Sequence, residues 1–294
     1  MSAAVGGVPS LTLACGSLGP VPFAERAAAA HGAGFSAIGL SLAEYDRLRD
    51  TGSSDADLLS ILADHALVVS EVEAVVGFAA EHPAGAAGGL PAPTPEPALD
   101  RILRMGERLG ARRLQVLGTF GSPVLEADAV ARFAALCDRA AGHGLTLAIE
   151  FIPGTNIPDA ATAAAIVGAA GRANGGVCVD SWHHFRGHPD EKALRRIPAE
   201  HIAMLQINDG PLIPQEDDYL SDTKRHRSPP GTGEFDLVRL LQAVSRAALI
   251  APVSVEVLSQ DLAALPPAEA ASLMAARTRA VLAAAGVTTG PVGE

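Results

Sequence analysis

The sequence predicts an α/β fold, a single (β/α)8 TIM barrel, and three observations support this prediction. Short apolar runs alternate eight times with longer segments that are rich in Ala, Leu, Arg and Glu. Apolar runs of roughly four to eight residues are typical of buried strands, and the segments between them are long enough for crossover helices. The length of 294 residues is normal for one such barrel. We therefore expect one domain, residues 1–294, with flexible ends at residues 1–9 and 286–294.

The predicted strands are the apolar runs themselves. Their regular spacing along the chain, with a helical segment after each, favours a parallel sheet. In chain order they cover residues 11–15, 35–40, 68–76, 113–117, 145–151, 177–180, 202–207 and 253–258.

The predicted helices follow the strands, and their many Ala residues suit helix formation. Pro158 stands near the start of one helix, where proline is tolerated, and Glu234 and Asp236 flank the start of another, where acids favour the helix dipole. The Gly/Ala/Pro-rich residues 82–97 and the polar residues 209–234 are predicted loops. The helices cover residues 23–32, 55–65, 98–109, 126–143, 158–170, 191–196, 235–247 and 268–285.

A doubly wound open sheet is the alternative fold. It would place a glycine-rich phosphate turn after an early strand. Residues 15–20 match that turn weakly, because the third glycine is missing and two prolines precede the helix. The closed barrel is therefore preferred.

Composition argues against several classes of function. The formal net charge of −11 argues against a nucleic-acid groove, which needs a basic surface. Cys15, Cys137 and Cys178 are far apart and show no CxxC spacing, so we expect a reducing cytoplasm and neither a disulfide framework nor a structural zinc site. We find no signal peptide and no run of about 18 apolar residues, so no membrane partner is expected. The composition leaves open whether the chain forms a homo-oligomer.

Polar side chains end the last four predicted strands: Glu150, Asp180, Gln206 and Glu256. The carboxyl ends of barrel strands meet at one face, where barrel enzymes place their active sites. Three carboxylates and an amide oxygen suit a hard divalent cation, and buried like charges need a cation to neutralise them. We predict that these four residues bind Mn²⁺ or Mg²⁺, with Zn²⁺ and Co²⁺ as less favoured alternatives.

Four further residues are candidates for binding a small-molecule substrate. His183 and His184 come directly after the sixth strand, and we favour His183 as the inward one, although a capping or surface role stays open for either. Arg227 precedes a Pro-Pro-Gly turn, and a guanidinium can hold a carboxylate, phosphate or hydroxyl in a fixed geometry. Glu73 shares one face of the third strand with Glu71 and lies nearer its end, with a salt-bridge role as the alternative.

Together these motifs resemble the xylose isomerase-like superfamily of TIM barrels, the sugar phosphate isomerase/epimerase family. The resemblance covers essentially the whole chain and is strongest over residues 145–258. It implies that the four strand-end residues bind the metal and that His183 and Arg227 bind substrate. The motifs are LAIEF around Glu150, VCVDSWHH around Asp180, LQINDGP around Gln206, VSVEVLS around Glu256 and RHRSPPGTGEFD around Arg227.

Gln206 departs from the pattern of this family. The epimerases and isomerases usually have a histidine there, whereas some dehydratases resemble this chain in having Gln. An amide oxygen can still bind a metal, but it is neutral and harder than imidazole. The DNA-repair endonuclease branch of the superfamily uses a three-zinc cluster with additional histidines on earlier strands, and this sequence does not supply them.

The resemblance implies a divalent-metal-dependent isomerase or epimerase that acts on a sugar, polyol or related hydroxy-ketone. Glu150 and Glu256 would remove and return a proton, and the metal would stabilise the enediolate. The alternative is a metal-dependent dehydratase (a lyase) of the inosose or 3-dehydroshikimate dehydratase type, in which a β-hydroxyl is lost. A non-catalytic barrel that binds a metabolite is a further alternative from another class.

Overall fold

Eight parallel strands form a closed barrel in the computed structural model, which describes residues 10–78, 90–122, 127–244 and 253–287. The strands follow one another around the barrel in chain order, and the last pairs with the first. The predicted (β/α)8 TIM barrel is therefore confirmed. The strands are β1 (Leu11–Leu13), β2 (Ala37–Ser41), β3 (Val68–Val76), β4 (Arg113–Leu117), β5 (Thr146–Glu150), β6 (Gly175–Asp180), β7 (Ile202–Ile207) and β8 (Val253–Val255).

Helices surround the barrel, and their apolar faces pack against the outer faces of the strands. A one-turn 3-10 helix, Ala199–His201, precedes β7. None of the helices within the described ranges combines the length and the apolar character that a membrane span requires. The α-helices are α1 (Phe23–Gly32), α2 (Leu42–Asp50), α3 (Asp55–Asp64), α4 (Glu96–Leu109), α5 (Ala129–Ala141), α6 (Ala160–Ala170), α7 (Ser181–Arg186), α8 (Glu191–Arg196), α9 (Tyr219–Arg225), α10 (Leu237–Ala243), α11 (Gln260–Ala263) and α12 (Pro267–Ala284).

Four helices, α2, α7, α9 and α11, were not predicted from the sequence. They are nine residues long or shorter, which is too short for a clear periodic pattern. Each begins at a side chain that accepts a hydrogen bond from a backbone N–H of the first turn. These N-cap residues are Ser41, Asp180, Asp218 and Ser259.

Four strands, β1, β2, β5 and β8, are shorter than predicted. β8 ends at Val255 instead of residue 258, because the chain then leaves the ladder and the carbonyl of Leu258 accepts a hydrogen bond from the backbone of Arg227 instead. β1 likewise ends at Leu13 instead of residue 15. Residues 1–9 and 288–294 of the predicted ends, residues 82–89 of the first predicted loop, and positions 126 and 245–247 of predicted helices lie outside the described residues.

The interior of the barrel contains several buried polar side chains. Its apolar part is a small cluster of Ala148, Cys178 and Met204. Above and beside this cluster, buried polar side chains bond to one another across the barrel, among them Glu71 with Ser254 at 2.6 Å. Buried polar groups need hydrogen-bond partners, so these hydrogen bonds help to fix the positions of the side chains inside the barrel.

The register between neighbouring strands determines how far along the barrel axis each site residue lies. Glu150 at the end of β5 pairs with Cys178, and Asp180 at the end of β6 pairs with Gln206. Asp180 therefore lies two residues farther than Cys178 toward the open carboxyl end of the barrel. The four predicted metal ligands thus come from neighbouring strands at one face.

The segment from residue 209 to 234 is anchored at its base, although the sequence predicted only a polar loop. Asp209 and Ser228 bond to each other through both backbone groups, at 2.9 and 2.8 Å. The buried Asp209 carboxylate also accepts hydrogen bonds from the backbone N–H groups of Gly210, Gly231 and Phe235 at 2.8, 2.8 and 3.0 Å. The two ends of the segment are therefore held together, and α9 lies between them.

Candidate functional site

Glu150, Asp180 and His183 form a buried cluster at the carboxyl end of the barrel. Each offers one ligand atom, and these atoms all lie within 4.8 Å of one another. The three residues are 4, 0 and 3 % exposed. His183 Nε2 lies 3.2 Å from Glu150 Oε1. The cluster could hold a metal ion.

The position of His183 follows from the way the chain leaves β6. Asp180 ends that strand and also caps α7, because its Oδ1 accepts hydrogen bonds from the backbone N–H of Trp182 at 2.6 Å and of His183 at 3.2 Å. The side-chain amide of Asn208 donates to both carboxylate oxygens of Asp180, at 3.3 and 3.2 Å. One carboxylate thus ends the strand, starts the helix and directs His183 towards Glu150.

Arg227 links Asp180 to Glu256. One of its guanidinium nitrogens, Nη1, lies 3.1 Å from Asp180 Oδ2 and 2.7 Å from Glu256 Oε2, and it also donates to the Glu256 carbonyl at 3.2 Å. Arg227 is 3 % exposed, so these contacts are shielded from water. The structure therefore brings Glu256 and Arg227 into the same site as the three clustered residues.

The pKa values of Asp180 and Glu256, the two acids that contact Arg227, shift in opposite directions. Burial acts to raise the pKa of Asp180, but Arg227, His183 and Asn208 outweigh it and leave that pKa below its usual value. Burial raises the pKa of Glu256 well above its usual value, and the negative charge of Asp180 adds to this effect although Arg227 opposes it. Neighbouring carboxylates with pKa values moved apart are typical of acid/base sites.

Gln206 is held by a neighbour that the sequence analysis missed. Gln115 Nε2, from β4, donates to Glu150 Oε2 at 2.7 Å and to Gln206 Oε1 at 3.1 Å. Cys178 Sγ also donates to Gln206 Oε1, at 3.2 Å, and the buried Gln206 Nε2 has no partner. The available signal was a glutamine inside the apolar run of β4, at an inward position.

Glu73 lies near the same carboxylates. Burial, followed by the charges of Glu71 and Glu150, raises the pKa of Glu73 to about 8. Its buried Oε1 has no hydrogen-bond partner. Glu71 lies deeper, and burial raises its pKa to about 7 although Ser254 donates a hydrogen bond to it. Both side chains therefore add carboxyl groups to the floor of the site.

The residues present fit a divalent cation. Five acids line the interior of the barrel near its carboxyl end, and within the described part of the chain Arg227 is the arginine that contacts Asp180 and Glu256 directly. Uncompensated buried carboxylates are costly unless a cation is bound. The five acids are Glu71, Glu73, Glu150, Asp180 and Glu256.

Tyr219 is a second residue that sequence reasoning missed. Its hydroxyl lies 2.6 Å from His183 Nδ1, on the side of the imidazole opposite to Glu150. Tyr219 begins α9, inside the segment that was predicted as a loop. A tyrosine in a polar segment carries no sequence signal for this position, because only the fold brings it to His183.

His184 has a different environment from His183. It is 4 % exposed, its ring packs edge-on against Phe185 at 5.0 Å, and burial lowers its pKa. A small cavity of about 160 Å³ lies beside it and is lined by both histidines together with His188 and Asp190. The predicted role of His184 in substrate binding stays a prediction, as do the roles assigned to the other site residues.

Comparison with known proteins adds a family match and related enzymes. The family model described as xylose isomerase-like TIM barrel matches residues 27–280. A 3-dehydroshikimate dehydratase of Pseudomonas aeruginosa is 32% identical over 147 residues, which are 50% of this chain and 22% of that protein. The present chain therefore spans much less than two thirds of this curated relative.

Two solved structures share the fold. A xylose isomerase-like TIM barrel/4-hydroxyphenylpyruvate dioxygenase fusion protein has a TM-score of 0.79 and 21% identity, with 97% of this chain and 46% of the fusion covered. IOLI protein, solved with a binding zinc atom, also has a TM-score of 0.79, with 18% identity and coverage of 96% and 100%. At these identities the structural likeness shows the fold alone.

Proposed function

This chain belongs to the xylose isomerase-like TIM barrel family, and from that premise we propose that it is a divalent-metal-dependent dehydratase. Its substrate would be a cyclic hydroxy-ketone that carries a carboxylate, of the 3-dehydroshikimate type. The comparisons support an enzyme of a metal-dependent, sugar-modifying family, which is the coarser part of the sequence prediction. They leave open the choice between epimerisation, isomerisation and dehydration.

The glutamine at position 206 is the main reason to propose dehydration. It occupies the β7 position where the epimerases and isomerases usually have a histidine, and it is buried beside Asp180 and bonded to Gln115. Some dehydratases of the superfamily have Gln there, and the P. aeruginosa relative is named a 3-dehydroshikimate dehydratase. Both observations favour loss of water over simple movement of a proton.

The site residues can be assigned to the steps of such a reaction. Glu150, Asp180, Gln206 and Glu256 would hold the cation, which supplies Lewis-acid polarisation of the substrate carbonyl when bound. Glu256, which lies beside Asp180 and Arg227 in the site, would take the proton from the carbon next to the carbonyl. This C–H bond and the β C–O bond both break and a C=C bond forms. The hydroxyl leaves as water when it receives the proton that Glu256 has taken, and Glu256 returns to its carboxylate form.

The remaining side chains orient the substrate. His183 faces Glu150 across 3.2 Å and would donate a hydrogen bond to a substrate oxygen. Glu73 offers an unpartnered carboxyl oxygen for a ring hydroxyl. Arg227 can exchange one of its two carboxylate partners for the substrate carboxylate, because a guanidinium has five N–H groups to share.

An assay in deuterated water would test the proposed reaction. The protein, loaded with Mn²⁺ or Mg²⁺, is incubated with cyclic hydroxy-keto-acids, inososes and ketoses, and the products are identified by mass spectrometry and NMR. We expect one cyclic hydroxy-keto-acid to lose 18 mass units and gain a C=C bond. Deuterium incorporated into an epimerised or isomerised sugar, with no loss of water, would contradict dehydration and favour the isomerase/epimerase alternative. Binding without any turnover would favour the non-catalytic barrel.

The Glu256→Gln variant supplies the control for the assigned base. It keeps the shape of the side chain and can still accept from Arg227, so we expect an intact fold with turnover reduced by about 10²-fold or more. Circular dichroism checks the fold. Turnover within a factor of about three of the unchanged protein would show that Glu256 is not the base.

A further inference from the structure

Arg186, the last residue of α7, binds three points of the segment from residue 209 to 234. Its guanidinium Nη2 pairs with the carboxylate of Asp222 on α9, and the two side chains are 2 and 1 % exposed. Its Nη1 donates to the backbone carbonyl of Pro211 at 3.2 Å and to that of Leu212 at 3.0 Å. A guanidinium presents several N–H groups in a fixed plane, so one side chain fixes the start of the segment relative to α9.

Asp222 extends this connection through its other carboxylate oxygen. Asp222 Oδ1 accepts a hydrogen bond from the backbone N–H of Gln215 at 2.9 Å, whereas Oδ2 is the oxygen that pairs with Arg186. Hydrogen bonds to a charged group are stronger than those between neutral groups. The buried ion pair therefore ties α9 both to α7 and to the chain that precedes α9.

Arg227 depends on α9 for one of its contacts. Its Nε–H donates to the backbone carbonyl of Thr223 at 3.2 Å, and the Thr223 hydroxyl accepts from Trp182 Nε1 of α7 at 2.9 Å. Nη1 of the same guanidinium contacts Asp180 and Glu256. A displacement of α9 would therefore move the guanidinium relative to the two acids.

The indole of Trp182 lies close to both arginines. The guanidinium carbon of Arg186 is 4.8 Å from the centre of this ring, and that of Arg227 is 5.6 Å from it. Trp182 is fully buried, and a guanidinium is attracted to an aromatic ring at such distances. Arg186 and Arg227 thus share one rigid neighbour on α7 in addition to their contacts with α9.

We propose that Arg186 is a positioning residue, which holds Arg227 against Asp180 and Glu256 by fixing α9 in place. Arg227 occupies one oxygen of each acid, so it competes with a cation for two of the predicted ligands. Arg186 therefore controls how tightly a cation binds, and it does so through Arg227. The proposed function enters only in the cation, since the contacts of Arg227 are present in the metal-free protein.

The placement of Arg227 can be measured by ¹⁵N–¹H NMR of arginine Nε–H groups in chelator-treated protein. The Arg227→Lys variant identifies the Arg227 signal by its loss. We expect Arg186→Met to shift this signal or broaden it beyond detection, because the Thr223 carbonyl is no longer held in place. Arg172→Met is the matched control, since Arg172 is 41% exposed and pairs with Asp138. An unchanged Arg227 signal in folded Arg186→Met would overturn the proposal.

A second variant removes the risk that Arg186→Met fails to fold. That substitution leaves the Asp222 carboxylate buried without its charged partner, which is destabilising. Arg186→Met/Asp222→Asn removes both charges, and the asparagine oxygen can still accept from the backbone N–H of Gln215. We expect the same change in the Arg227 signal from this double variant, and circular dichroism checks its fold. An unchanged signal in the folded double variant would also overturn the proposal.

Cation affinity separates positioning from general stabilisation. Each variant is loaded with Mn²⁺ and dialysed against graded Mn²⁺ concentrations, so that it starts in the metal-bound form, and the bound metal is measured. We expect Arg186→Met to bind Mn²⁺ roughly tenfold more tightly, because a displaced Arg227 leaves oxygens of Asp180 and Glu256 free. In an Arg227→Met background the same substitution should change the affinity by less than about twofold.

The two backgrounds together decide whether Arg186 acts through Arg227. An equal effect of Arg186→Met in both backgrounds would show independent roles and would overturn the proposal. If Mn²⁺ binds but no dehydration is found, the proposed function fails and the affinity cycle still tests Arg186. If no cation binds, the Arg227 signal alone decides the role of Arg186.

Discussion

Arg227 lies 2.7 Å from Glu256 inside the mouth of the barrel, and both side chains are almost fully shielded from water. The same guanidinium nitrogen also contacts Asp180 at 3.1 Å. One positive charge therefore compensates two of the acids at the site. We therefore expect the stability of the metal-free fold to depend on Arg227.

The Arg227→Ala variant should be strongly destabilised when no metal is bound. Removing one partner of a buried ion pair typically costs about 3–5 kcal/mol, because the remaining charge stays buried and unpaired. Urea unfolding of chelator-treated protein measures this loss. Arg225→Ala is the control, since Arg225 is 48% exposed and its pair with Glu216 should be worth less than about 1 kcal/mol. Equal losses of stability in Arg227→Ala and Arg225→Ala would contradict the idea that Arg227 compensates the buried acids.

The stability of the metal-free protein should fall as the pH rises from about 4.5 to about 7. Burial raises the pKa of Glu71 from 4.5 to about 7, so the folded state retains a proton that the unfolded chain loses. This contribution is fully present below about pH 4.5 and is lost as the pH rises through about 7. Its size is at most about 3.5 kcal/mol, since one pKa unit corresponds to about 1.4 kcal/mol.

Glu71→Gln should flatten this part of the stability profile. The amide can still accept the hydrogen bond that Ser254 donates, but it does not ionise. Unfolding free energies at several pH values between 4.5 and 7.5 provide the measurement. Glu25→Gln, at an exposed position of α1, serves as the control and should leave the slope unchanged. An unchanged slope in Glu71→Gln would mean that Glu71 does not cause the fall.

The sequence predicted the barrel and the acids at its strand ends, but it did not predict every residue of the site. The strands β3, β4 and β7 were predicted to the residue, although polar side chains such as Glu71, Gln115 and Gln206 interrupt their apolar runs. The rule that barrel sites form at strand ends also led to Glu150, Asp180 and Glu256, which the structure places around one guanidinium and one imidazole. Their chemical roles stay predictions.

Gln115 and Tyr219 could not be found in the same way. Gln115 lies in the middle of β4, and it reaches Gln206 on β7 as well as Glu150 on the neighbouring β5 because its side chain points into the closed barrel. Tyr219 belongs to a seven-residue helix that needs tertiary contacts such as that of Asp222 with Arg186. A local pattern can mark Gln115 as a polar residue in an apolar run, but it does not reveal which side chains the fold brings into contact with it.

A divalent cation should stabilise the protein, and Glu150→Gln should remove most of this effect. Ligand binding at about 1,000 times the Kd adds about 4 kcal/mol to the free energy of unfolding. Thermal unfolding with and without Mn²⁺ measures the shift, and metal analysis should give about one ion per chain. Asp138→Asn, at a surface pair with Arg172, is the control. No shift with Mn²⁺, Mg²⁺, Zn²⁺ or Co²⁺ would argue against a metal enzyme.

Gln115→Met should weaken cation binding while keeping the volume of the side chain. Gln115 holds both Glu150 and Gln206, and loss of a residue that orients metal ligands typically lowers affinity by about 10- to 100-fold. Titration calorimetry with Mn²⁺ tests this expectation. Gln242→Met, at an exposed position of α10, is the comparison. An affinity unchanged by Gln115→Met would show that the amide does not orient the ligands.

The segment from residue 209 to 234 constrains how this protein can diverge. Asp209 ties its ends together, and its middle supplies both the hydroxyl that contacts His183 and the guanidinium that contacts Glu256. A change of length or composition there would disturb charge compensation and imidazole orientation together. New substrate preferences are therefore more easily acquired through other connections at the same face of the barrel, with this segment inherited as one unit.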